Sequence, residues 1–254
     1  MPRSLKLYIA VSAITSAVAL VVALVAFPPD RRIGLLPTPA GVWLGVAFWT
    51  GITLLASALP VRMPRGTLVA VSIAPVIVAM NLGGPGVAAL VAAVGTTEIR
   101  ELRGRIPWYG TVANHAGMVL PTLCGSLISE WLGRSASNQA LDFLSTLIGA
   151  TVIFVANVAF TAFLVALRTG QDARTVLLGD AKGFATSLIA LAPLGWLMAQ
   201  VYAIAGGWWA TLLFALPLYT TRVAYHQFVE MREMFTQTVD ALSGAVDKRD
   251  PYTA

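Results

Sequence analysis

Charged side chains are scarce in this chain: 11% of its 254 residues, against 57% hydrophobic. A soluble domain carries roughly a quarter charged residues, so the shortage excludes an ordinary soluble enzyme and a disordered segment. Cysteine is nearly absent. The lone Cys124 closes no intramolecular bridge, which excludes a disulfide-stapled scaffold and leaves the redox compartment unread. Histidine occurs only at positions 115 and 226. The strings His-Asp, His-Glu-x-x-His and Gly-x-Ser-x-Gly do not occur, nor does a phosphate-binding Gly-Lys pattern, so an intramembrane enzyme has no recognisable constellation.

What the chain has is long uncharged apolar blocks. A helix crossing the hydrocarbon core needs roughly 17–25 mainly apolar residues. Residues 7–27 form the first block, stopped by Pro28-Pro29-Asp30; it is too long for a signal peptide and more blocks follow. Further spans are expected at about 40–59, 67–82, 85–97, 108–131, 141–167, 183–202 and 208–219. The third and fourth are short and joined by Gly83-Gly84-Pro85-Gly86. They are either two crossings or one re-entrant pair buried in the bundle. The expected fold is an all-α polytopic membrane helix bundle of about eight spans, six if that pair is re-entrant, with a C-terminal cytoplasmic signalling helix.

The net charge of +5 is distributed as in a membrane protein and not as in a nucleic-acid binder. With the N-terminus placed inside, 14 of the 17 basic residues fall in inside segments, and only Arg31, Arg32 and Arg134 fall outside. The positive-inside rule then puts both termini in the cytoplasm and the chain in the inner membrane. The basic loop from Arg100 to Arg105 reads as a solvated inside loop, or as a docking surface for a partner or for anionic lipid. Trp43, Trp49, Trp108, Trp131, Trp196, Trp208 and Trp209 read as interfacial anchors.

After Thr221 charged and polar residues return. Ala224, Phe228, Met231, Phe235, Val239, Leu242 and Val246 are spaced 4, 3, 4, 4, 3 and 4 apart, one apolar stripe of an amphipathic helix. A stripe this narrow suits pairing with a second copy of the chain, with Phe228, Met231, Phe235, Val239, Leu242 and Val246 at the contact. Glu230, Glu233, Asp240 and Asp247 argue against a helix lying on anionic lipid. Residues 1–221 thus form a sensor bundle and 222–249 a cytoplasmic linker helix.

The tail Ala245-Val246-Asp247-Lys248-Arg249-Asp250-Pro251-Tyr252-Thr253-Ala254 resembles the entry helix of bacterial HD-type phosphohydrolases, closest to the HD-GYP subgroup. That resemblance implies that residues 250–254 begin an HD-type output domain, a cyclic di-GMP phosphodiesterase in some members. It also implies that the divalent metals of that chemistry belong to the missing domain. No cofactor and no catalytic residue is expected within this chain. The segment Asn81-Leu82-Gly83-Gly84-Pro85-Gly86 with the basic loop after it resembles membrane sensor regions found ahead of such domains. Helix number and loop style are similar to the substrate-binding subunits of energy-coupling-factor transporters, which implies a stand-alone solute-binding protein as the alternative.

Polar side chains inside a span are expensive and usually face the bundle interior. Asn114 and His115 in the fifth block and Asn157 in the sixth are therefore ligand-site candidates, with Asn81 and Gln200 nearer the ends of theirs. Converging, Asn114, His115 and Asn157 line a pocket for an uncharged or weakly charged ligand. Separately, each is a helix-to-helix hydrogen bond. No Asp or Glu lies at the centre of a block, which argues against a proton-driven carrier. The expected function is a membrane sensor that reads a small or lipophilic ligand and signals through the last helix. Its expected partners are membrane lipids, a second copy of itself and that ligand.

Overall fold

The computed structural model describes residues 2–58, 61–62, 68–69, 71–133, 138–205, 208–211 and parts of 219–244, with backbone alone for 178–190. Among them the chain is helical, apart from a two-residue antiparallel pairing of β1 (Val61–Arg62) with β2 (Leu68–Val69). The helices are α1 (Arg3–Ala26), α2 (Pro39–Ser57), α3 (Ile73–Gly95), α4 (Ile99–Leu102), α5 (Trp108–Gly133), α6 (Gln139–Thr169) and α7 (Ala173–Ala205). Four of them, α1, α2, α3 and α6, are long and apolar enough to cross a membrane, and α7 adds a shorter apolar stretch at Leu191–Ile204.

Local chemistry sets the ends. Thr38 accepts from the Gly41 amide at 3.0 Å to cap α2, with Pro39 at its first position, where a missing N–H costs nothing. Asn138 caps α6 by accepting from the Leu141 amide at 2.9 Å, and Gly170, left-handed at φ 74°, closes that helix. α7 begins at Ala173, about ten residues before its expected start. Arg174 and Lys182 end the apolar block but are ordinary helix formers, so the backbone continues.

The central feature is a break. At Gly84, φ is 81° and ψ is −177°, a conformation open essentially to glycine alone. The contacts on either side show that the chain reverses there. Gly83 packs on Ile33 and takes the Asp30 amide on its carbonyl at 3.4 Å, just beyond the Ala26 end of α1. Going back from the break, Asn81 meets Thr146 near the start of α6, Ile77 joins Ala150 and Ile153 farther along it, and Ala74 lies against Gly195 within α7. Going forward, Gly86 lies against Ala23 and Leu24, and Gly95 lies against Thr53 near the far end of α2. There the Ser57 hydroxyl donates to the Gly95 carbonyl at 2.9 Å. α3 is thus a hairpin of two half-helices, 73–83 and 85–95. Each is about 16 Å long, half the hydrocarbon thickness of about 30 Å. The two short blocks of the sequence thus form one broken helical element whose turn lies at the Ala26 end of α1.

This hairpin is the core. In its most apolar stretch 78% of the residues are buried, against 22% for α1 and α6. Val76, Val78, Ala79, Leu82, Val87 and Val91 pack against Ile33, Trp49, Met198 and Tyr202. α1 turns Leu7, Val11, Ile14, Val18, Val21 and Val25 outward, as a lipid-facing wall does. The outer helices meet through small residues: a Cβ on Gly125 of α5 overlaps the Gly149 carbonyl of α6. Such close approach replaces the hydrophobic drive that lipid removes.

Gly84→Ala has free space for its methyl group, so its cost is backbone strain alone, about 1–3 kcal/mol. Gly51→Ala, also in open space but inside α2, serves as the control. Unfolding in mixed detergent should show the first variant destabilised by that amount and the second as stable as wild type or up to about 1 kcal/mol more stable, alanine being the better helix former.

Candidate functional site

Polar side chains gather at the two ends of the bundle and not at its middle. At the Ala26 end, Asp142 on the first turn of α6 reaches α7. Its Oδ2 accepts from the Trp196 indole at 2.7 Å and from the Gln200 amide at 2.9 Å. The Phe143 ring packs edge-on against Trp196, centroids 4.9 Å apart. The Thr146 hydroxyl lies 2.7 Å from Asn81 Oδ1 and 2.9 Å from the Asp142 carbonyl, while Asn81 Nδ2 donates to the Ile77 carbonyl at 2.9 Å. One polar chain therefore ties the rising half of the α3 hairpin to α6 and α7. Two expected site residues, Asn81 and Gln200, are brought together by it.

At the opposite end, α4 folds back so that the Glu101 side chain, 3% exposed, meets α5. Asn114 Nδ2 donates to Glu101 Oε1 at 2.8 Å, and His115 Nε2 lies 3.0 Å from Oε2. A carboxylate accepts only, so Nε2 carries the hydrogen. That leaves Nδ1 without a partner, and it is buried. Asn157 is elsewhere: its amide donates to the Gly117 carbonyl at 2.7 Å and approaches the Met118 sulfur at 3.3 Å. The structure does not gather Asn114, His115 and Asn157 into one pocket. Glu101 claims the first two, and Asn157 is a helix-to-helix tie. The hydroxyls of Thr122 and Ser126 on α5 and the Trp49 indole are buried with no partner among the described residues.

An open cavity of about 200 Å³ lies at the Ala26 end, lined by Arg32, Gly34, Leu35, Tyr202, Ala203 and Trp208. Its floor is fixed by Tyr202, whose hydroxyl lies 3.0 Å from the Ile33 carbonyl and 3.2 Å from that of Gly34. Among the described residues no group of three His, Cys, Asp or Glu side chains is placed to hold a metal.

Sequence reasoning missed Asp142, Thr146, Trp196, Glu101 and every residue of the cavity. Asp142 carried a signal: a lone acid within the first turn of the otherwise uncharged block 141–167 needs donors nearby. Glu101 carried none, because it reads as one more loop charge among Arg100, Arg103 and Arg105. Of the dimerisation residues, Met231, Phe235, Val239 and Leu242 are described; Phe228 and Val246 lie outside the described residues, as do the expected eighth span over residues 212–218 and the tail 250–254. Comparison with protein-family models, curated proteins and solved structures finds no match to this chain.

Removing the acceptor that α7 donates to leaves two half-buried N–H groups unpaired. Asp142→Ala should therefore destabilise the bundle by about 1–3 kcal/mol. Asp142→Asn, which keeps an acceptor oxygen, should cost less. Equilibrium unfolding in mixed detergent measures both.

Proposed function

We propose that this chain is a multi-pass inner-membrane sensory module that passes ligand state to a C-terminal output domain through its last helix. The proposed topology has six crossings around the buried α3 hairpin. It puts the Ala26 end outside and both termini in the cytoplasm, because that orientation places most of the basic residues inside.

One observation carries the reading. Residues 234–244 are helical, and Met231, Phe235, Val239 and Leu242 are 45–70% exposed. Met231, Phe235, Val239 and Leu242 together fit a single helix face that nothing among the described residues covers. In heptad terms Phe235 and Leu242 occupy d and Val239 occupies a, the pattern that favours two-stranded pairing. A ligand that favours one arrangement of the bundle then shifts the register or closeness of the paired helices. The resemblance of residues 245–254 to the entry of HD-type phosphohydrolases suggests the output that such a pair would drive. A second reading, a solute-binding or transport subunit, is favoured by the broken hairpin at Gly84 beside polar groups, since interrupted helices often mark transporter binding sites.

The full chain in membranes, with Cys124→Ser and Val239→Cys, should form an intermolecular disulfide. Adding Phe235→Glu should lower that yield by about tenfold, the effect of roughly 1.4 kcal/mol at the contact. A yield unaffected by Phe235→Glu would overturn the sensory reading. Accumulation of solute by vesicles holding the chain alone would favour transport.

A further inference from the structure

We infer that the cavity at the Ala26 end binds a small organic anion, a carboxylate carried on an apolar body about the size of one ring. Among the described residues its one charged lining side chain is Arg32. Asp30 orients that side chain: Oδ1 accepts from the Arg32 backbone amide and Oδ2 from the guanidinium Nε, both at 2.9 Å. One carboxylate oxygen is thus spent on the backbone amide and the other on the Nε edge of the guanidinium. Its terminal Nη groups have no further partner among the described residues. They present the paired donors that match a carboxylate. Asp30, Arg31 and Arg32 together leave this turn with one net positive charge, so a cationic ligand is disfavoured.

The other lining residues offer both apolar and polar surface, the latter including the backbone of Gly34. Leu35, Ala203 and the Trp208 indole line the space, and the Tyr202 hydroxyl is spent on the backbone carbonyls of Ile33 and Gly34. Arg32 is thus the charged handle among the described residues, and Leu35, Ala203 and the Trp208 indole offer apolar contact to the body of the ligand. A volume of about 200 Å³ exceeds the roughly 150 Å³ in which an apolar cavity holds benzene. The size therefore suits an aromatic or short branched acid and excludes a dinucleotide or a sugar chain.

The cavity also joins the right elements. Arg32, Gly34 and Leu35 belong to the α1–α2 connection, Tyr202 and Ala203 end α7, and Trp208 opens the 3₁₀ turn (Trp208–Thr211) that leads toward residues 234–244. A bound acid would fix the start of the last segment against the bundle. This final step rests on the sensory reading; the binding itself does not.

The test uses the full chain in zwitterionic nanodiscs and calorimetric titration with benzoate, benzamide and benzylamine. Benzoate should bind about tenfold more tightly than either isostere, as a charge-assisted pair with arginine requires. Arg32→Gln should erase that preference. Ala203→Trp, at an exposed position, should fill the space and abolish binding without lowering the melting temperature. Benzamide or benzylamine binding as tightly as benzoate would overturn the assignment, as would full benzoate affinity in Arg32→Gln. So would an Arg32-dependent response to phosphatidylglycerol discs with none to benzoate, which would reassign the site to lipid. Arg32-dependent binding that leaves the Val239→Cys crosslink unchanged sustains the cavity and overturns the sensory reading.

Discussion

A backbone amide or carbonyl left unpaired in hydrocarbon costs several kcal/mol, and no water is there to satisfy it. The α3 hairpin puts that penalty at risk, because its two half-helices end and begin around Gly84. The rest of the structure is arranged to bury the hairpin in protein. α1, α2, α5, α6 and α7 surround it, the Asp30 amide takes the Gly83 carbonyl, and Ile33 from the α1–α2 connection is fully buried against the turn. The outer helices can stay largely exposed because lipid is an adequate partner for their aliphatic faces. The hairpin cannot, and its burial decides where every other helix stands.

The distribution of polar side chains follows from the same low dielectric. A buried hydrogen bond is strong there and an orphaned donor is costly. Asp142 serves two donors from α7, and its neighbour Thr146 serves Asn81, so three elements close on one another at one end. Glu101 pins the short α4 to Asn114 and His115 at the other. Between these ends Asn157 ties α6 to the Gly117 carbonyl and the Ser16 hydroxyl donates to the Ala116 carbonyl, while the Thr122 and Ser126 hydroxyls and the Trp49 indole have no partner among the described residues. The ends of the bundle are therefore fixed, and the chemistry available to a ligand lies at the rim.

That placement gives the proposed function its physical form. A site at the rim, built from the α1–α2 connection, the end of α7 and Trp208, touches the segment that continues toward the exposed apolar helix at 234–244. A small change in how Trp208 sits on the bundle need not cross the packed hairpin to reach the pairing surface.

The sequence by itself determined the membrane class, the helical content and the placement of most helices, since hydrocarbon admits few alternatives to long apolar helices and blocks of that length are read directly. Gly83-Gly84-Pro85-Gly86 marked the break in advance, but that the chain reverses there and packs inside five other helices was decided only by tertiary structure. The same limit governed the polar residues. Asn81, Gln200, Asn114, His115 and Asn157 were visible because an amide or imidazole in an apolar block is conspicuous. Their partners were not, because Glu101 comes from a loop that folds back and Asp142 reaches a helix more than 50 residues away. Composition records which groups must be satisfied in a membrane. Which group satisfies which is a matter of distance between elements, and tertiary structure alone sets that.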